Sequence, residues 1–202
     1  MKFADCINKF AHLVPGCSEP ELIDALRFAV IEFCSKSFVL TYWVEKTSDA
    51  LTFTTTGEAA TMPVAIFDAY VDNVQAPVYH LNAAAVSEAD SESPVVTYLT
   101  DQLATSIAIT PPPSSPVSVR MLVAMSPTPD ANEYPDHLWM MRREALKAGA
   151  LARLLSEPGT TYVNEARAKA YRDDFEAAIA SASTAASVNR STSTQRLRVT
   201  PR

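Results

Sequence analysis

Apolar positions along this chain change period several times, and each change marks a boundary. Phe3, Ile7 and Phe10 are spaced four and three apart, which predicts a short helix over residues 3–11, ended by Pro15 and Gly16. Ser18 stands three residues before Glu21, with Pro20 between them. That is a capping box, with a proline in the first turn where a missing N–H costs nothing. Leu22, Leu26, Ala29, Val30 and Phe33 then share one helical face, and Lys36 suits the negative pole of the helix.

From Phe38 the period shortens. Residues 38–44 are β-branched and aromatic, and residues 51–56 alternate up to Gly57, so the two runs are expected to pair as a hairpin. Residues 64–71 read as a strand, and Asp72 and Asn73 as a turn leading to Val74 and the segment around Tyr79. Residues 82–89 carry a turn or two of helical pattern. Residues 95–100 and 104–110 read as a strand pair, turning at Asp101 and Gln102. A proline-stiffened connector at 111–116 leads to a last strand at 117–125. Tyr42, Trp43, Phe53, Phe67, Tyr70, Tyr79 and Tyr98 are expected to fill the core of this β block.

Helical order resumes after Pro127 and Pro129. Asp136 is placed as an N-cap behind Pro135. Leu138, Met141, Ala145, Ala148, Ala152 and Leu155 form an apolar stripe with Gly149 beside it, small enough in places for another helix to approach closely. The stripe reads as core packing within one subunit or as a seam between subunits. Pro158 and Gly159 end that helix, and Asn164 caps the next, where Tyr171, Phe175 and Ile179 repeat every four residues. Beyond Ala182 bulky apolar residues are scarce, and an extended or disordered arm is expected. The predicted class is α+β: a bundle of three to four helices with an inserted, mostly antiparallel β domain and a disordered or extended C-terminal arm. Its divisions are residues 1–37, 38–128, 129–182 and 183–202, with the first and third packing together.

Charge sharpens this organisation. Residues 47–136 hold 11 acids and one base, Arg120, whereas residues 137–202 hold 11 bases and 6 acids. Residues 47–119 contain no Lys or Arg, so that stretch cannot grip nucleic acid through its phosphates. It suits a basic partner surface, a wall that DNA passes without sticking, or an ordinary acidic solvated face. After Glu176 there is no acid, while Arg190, Arg196, Leu197, Arg198, Val199 and Arg202 make a basic, partly apolar end. No apolar run approaches the roughly 18–20 residues that span a bilayer, and the start lacks a secretory leader, so synthesis and use from the cytoplasm are expected.

No constellation for chemistry emerges. Cys6, Cys17 and Cys34 show no metal-ligand spacing and are expected as free thiols. His12, His80 and His137 have no patterned carboxylate or second ligand nearby. With 4 Gly in the chain there is no phosphate-cradling loop. No catalytic residue, cofactor or metal is assigned.

The run Val14-Pro-Gly-Cys-Ser-Glu-Pro, followed by Ala25-Leu-Arg-Phe-Ala-Val-Ile-Glu-Phe-Cys, resembles the opening of the tailed-bacteriophage head–tail adaptor (connector) family of short-tailed phages and related viruses. So does Ala148-Gly-Ala-Leu-Ala-Arg-Leu-Leu-Ser-Glu-Pro-Gly with Tyr162, Asn164 and Ala170-Tyr-Arg-Asp-Asp-Phe-Glu, and the strand leading into Met125-Ser-Pro-Thr-Pro-Asp. The likeness spans about residues 13–182. It implies a virion structural protein at the head–tail junction, assembled in the host bacterial cytoplasm as a homo-oligomeric ring, commonly of twelve copies. Such a ring binds the portal protein above and a tail nozzle or other tail protein below, with DNA only passing through. It also implies that the basic end is the portal-binding arm. Two other readings stay open: a tail-completion or stopper protein on the tail side, and a soluble enzyme whose pocket holds a perturbed cysteine or histidine.

Overall fold

A computed structural model of the chain describes residues 1–47, 50–54, 61–80, 94–101, 104–110 and 115–196. The fold is α+β and divides into two compact units: Met1–Val39 with Pro129–Arg202, and Leu40–Thr128.

In the first unit, α1 (Phe3–Ile7) and a 3-10 turn (Ala11–Leu13) lead to α2 (Glu19–Ser37). The predicted capping box is present: Ser18 is extended, and its backbone N–H donates to Glu21 Oε2 at 2.8 Å. Two otherwise orphaned donors are thereby satisfied, worth about 1 kcal/mol. The helix closes on Phe38, which adopts the left-handed conformation at φ 53°. The strand expected from Phe38 therefore starts later, at Thr41. Residue composition announced a strand there, but the end of a helix needs a reversal first, and Phe38 supplies it against its own side-chain preference.

Helix α3 (Asp136–Leu155) starts one residue earlier than predicted. Pro135 occupies the cap position, and the Asp136 carboxylate pairs with the Met1 amine instead of capping. Its negative charge still favours the first turn. The approach to α3 is held by Tyr134, whose ring lies 4.7 Å from Phe3 and whose hydroxyl is 3.1 Å from Cys6 Sγ.

Helix α4 (Glu165–Arg196) follows Asn164, whose Oδ1 accepts the Arg167 backbone N–H at 3.0 Å, as the cap reading required. It does not end near Ala182 but runs on to Arg196. No Gly or Pro stands between Gly159 and Pro201 to stop it. Ser and Thr hydroxyls fold back on the helix, Thr184 Oγ1 to the Ala180 carbonyl at 3.0 Å and Ser187 Oγ to the Thr184 carbonyl at 2.8 Å.

The β unit consists of β1 (Thr41–Thr47), β2 (Ala50–Thr54), β3 (Thr61–Val71), β4 (Val74–Ala76), β5 (Val78–His80), β6 (Val95–Asp101), β7 (Ala104–Thr110) and β8 (Ser118–Pro127). They form two four-stranded sheets, β1-β8-β3-β4 and β2-β7-β6-β5, antiparallel except for β5 with β6. Strands β6 and β7 pair as predicted. Asp72 and Asn73 both take positive φ, 48° and 66°, the geometry that lets a two-residue turn join β3 to β4. Asp72 also ties this turn to β8, its Oδ1 accepting the Ser118 N–H at 2.9 Å.

The expected hairpin between β1 and β2 does not form. Strand β1 pairs with β8, and β2 pairs with β7 in the other sheet. The Ser48–Asp49 link lacks the Gly or Asn that a two-residue hairpin favours. The core between the sheets is aliphatic: Ile66, Val71, Val119, Met121 and Val123 from one, Val96, Ile107 and Ile109 from the other. The described aromatics do not fill it. Tyr42, Trp43 and Tyr79 are exposed, and Tyr98 packs at its margin. Strand alternation explains Trp43 and Tyr70. Their neighbours Val44, Ala69 and Val71 take the inward positions. Trp43 instead lies 4.6 Å from the Arg120 guanidinium and 5.9 Å from the Tyr70 ring. Phe53 and residues 82–89 fall outside the side chains or residues described.

Candidate interaction surface

Helix α3 is gripped by α2 on one side and α4 on the other. Where the three cross, Gly149 leaves no room for a side chain. A Cβ there would lie 2.8 Å from the Phe175 ring and 3.0 Å from Ala29 Cβ. This accounts for most of the predicted stripe: Leu138, Ala148, Gly149, Ala152 and Leu155 are buried inside the unit, so they pack helix on helix within one subunit. Ala145 is half-buried at the edge of a hollow of about 390 Å³ that Tyr171 also lines. Met141 does not share that burial. It is 72% exposed, and its neighbour Met140 is 76% exposed.

The stripe also missed Trp139, Leu146, Leu151 and Leu154, all buried. A reading that assigns one apolar face per helix finds only part of a helix packed from two sides. Their signal was present in the leucine spacing 146, 151, 154, which falls beside the chosen stripe.

Beside the crossing lies a groove of about 430 Å³. Ala29, Gly149, Ala152 and Ala168 line it, and it is rimmed by Phe28, Arg153, Lys169, Arg172, Glu32 and Glu165. Phe28 is 46% exposed, and the Arg153 guanidinium sits over its ring at 4.1 Å. Small side chains on three helices make the hollow, and nothing in single-helix periodicity announces it. Across it Arg172 donates to Glu32 from both terminal nitrogens, at 2.6 and 3.0 Å, and from Nε to Glu176 at 2.7 Å. Lys36 Nζ adds a bond to Glu32 at 2.6 Å. Burial pushes the Glu32 carboxyl up, but Arg172 and Lys36 outweigh it and hold it below its ordinary range. A depressed carboxyl gives stability that is complete above its unfolded pKa and fades as pH falls through its folded one. With Arg172 part-exposed, solvent screening keeps this clasp near ~1 kcal/mol.

The basic end is placed in part. Arg190 lies on α4 and Arg196 is its last residue, while Leu197, Arg198, Val199 and Arg202 fall outside the described residues. As for chemistry, burial raises all three cysteine thiols, Cys34 to about 12. That is the opposite of the depressed pKa of a reactive thiolate. Among the described residues no group of three or more His, Cys, Asp or Glu side chains is arranged to hold a metal ion. No described helix is long and apolar enough to cross a membrane.

The two exposed methionines of α3 and the charged groove between helices are the surface features this unit offers to a partner. Comparison with known families makes the class a phage adaptor, a structural component of the virion. The particular family follows from comparison: the model of the SU10 adaptor protein family matches residues 1–199, and the chain belongs to that family. No curated protein sequence matches it.

Proposed function

We propose that the protein closes into a homo-oligomeric ring beneath the portal, twelve copies being the number its resemblance implies. The ring joins the DNA-filled head to the tail and continues the channel for genome ejection. One observation carries the ring: two adjacent large apolar side chains, Met140 and Met141, stand exposed on the first turns of α3 in a member of an adaptor family. A ring repeats one heterologous contact, so each copy needs two different complementary faces. Of the seven stripe residues proposed as packing or ring interface, Met141 is the one whose exposure leaves it available to a neighbour.

In this reading the β unit is an insertion in the helical bundle, directed toward the tail nozzle or another tail protein. Its scarcity of cations lets DNA pass without adhering. The basic end, with Arg190, Arg196, Leu197, Arg198, Val199 and Arg202, reaches along the portal. It carries no acid after Glu176.

Deleting residues 189–202 tests the arm. The truncated protein is expected to fold on the remainder of α4 and to lose attachment to portal-bearing heads, read by co-sedimentation. Attachment at the full-length level would reject the arm and favour a stopper acting from the tail side.

A further inference from the structure

We infer that the groove between α2, α3 and α4 forms part of the ring contact, together with Met140 and Met141, and receives the acidic, cation-free stretch 47–119 of a second copy. The inference rests on the ring reading above and names the partner surface within it. Three observations support it. The walls are small: Ala29, Gly149 and Ala152 leave a hollow of about 430 Å³ open to solvent. The rim presents cations that the fold does not neutralise. Among the described residues Arg153 has the Phe28 ring as its neighbour but no carboxylate, and Lys169 has no ion pair. Glu32 is already engaged by Arg172 and Lys36, leaving Glu165 as the one uncommitted acid on the rim.

The complement is written in the same chain. Residues 47–119 hold eight acids and no Lys or Arg, whereas residues 137–202 hold 11 bases and 6 acids. Two surfaces of opposite sign on each copy suit the heterologous contact of a head-to-tail ring, and they disfavour like-to-like pairing. An arginine already stacked on an aromatic ring is pre-oriented for a carboxylate, so little side-chain freedom is lost on docking. A phosphate backbone would also be drawn to Arg153 and Lys169. However, a groove floored by alanine and glycine and rimmed by Phe28 favours a peptide segment, which brings apolar surface with its carboxylates.

The test uses the full chain assembled on portal. A benzophenone amino acid is installed at Ser156, on the groove wall. Isotope-labelled and unlabelled copies are mixed before irradiation, so that links between copies are told from links within one. Mixed-label crosslinks from position 156 into residues 47–119 are the expected result. Crosslinks only to portal, tail protein or DNA, or only to a neighbour's helices, overturn the assignment. In parallel, Arg153→Glu with Lys169→Glu is expected to leave the melting temperature unchanged and to lower ring formation about tenfold or more, in proportion to added salt in the wild type. Ring formation at wild-type level overturns it. A wild-type protein that joins portal without forming any ring defeats the ring reading itself. A ring lacking both signatures defeats only the groove.

Discussion

Phe175→Ala is expected to destabilise the helical unit by about 3–5 kcal/mol, the range for deleting a fully buried ring. Phe175 is completely buried, lies 6.1 Å from the Phe33 ring, and covers Gly149 at the crossing of α2, α3 and α4. Its loss leaves a cavity that three helices border and that none can fill without sliding. The companion change isolates the cause. Gly149→Ala gains about 1 kcal/mol of helix propensity, yet its Cβ would meet the ring at 2.8 Å and Ala29 at 3.0 Å. Overpacking of this kind costs about 1–3 kcal/mol, so a net loss is expected. Made together with Phe175→Ala, the same substitution has lost its main obstacle and should cost less or become stabilising. Urea unfolding followed by far-UV circular dichroism reads all three variants. Strictly additive losses would mean that the ring and the glycine do not share the crossing.

The second large effect lies in assembly. Met140→Asp with Met141→Asp is expected to leave folding intact, because both side chains stand in solvent, and to abolish ring formation. Burying two methionines is worth roughly 3–6 kcal/mol, so their replacement by charge weakens each contact by about two to four powers of ten. Thermal melting and sedimentation together separate the outcomes. An unchanged melt with lost assembly supports the contact, whereas rings that persist would move the subunit interface elsewhere.

The local signals in this sequence were faithful wherever one residue's geometry decides the matter. Ser18 with Glu21, Asn164, and the Asp72–Asn73 turn each did what their side chains dictate. Errors arose where a choice depends on partners far along the chain. Residues 41–47 and 50–54 both read as strands, but alternation does not say that their mates are β8 and β7. Trp43 and Tyr70 look like core residues by type, and face outward because Val44, Ala69 and Val71 occupy the inward positions. The end of α4 was misjudged for a different reason. Scarcity of bulky apolar residues does not itself stop a helix, and no Gly or Pro stands between Gly159 and Arg196 to break it.

The interaction surface was legible to a lesser degree. Small residues in the α3 stripe did signal close helix approach, and Gly149 shows it, but the approach is internal to the subunit. Met141 entered the stripe by periodicity and turned out to be its exposed member. The groove could not be read at all. Phe28, Arg153 and Arg172 come from three helices, and their meeting is a product of the bundle. Charge segregation was visible from the start, since it is a property of the sequence alone.

The central claim is that this protein works by symmetric contact with its own copies on a portal. Mass measurement of the purified chain, alone and mixed with assembled portal, addresses it directly. The account predicts that portal gathers multiple copies of the 21.9 kDa chain into one complex of fixed stoichiometry. A chain that stays at 21.9 kDa with portal present, under conditions where portal itself is intact, would contradict it.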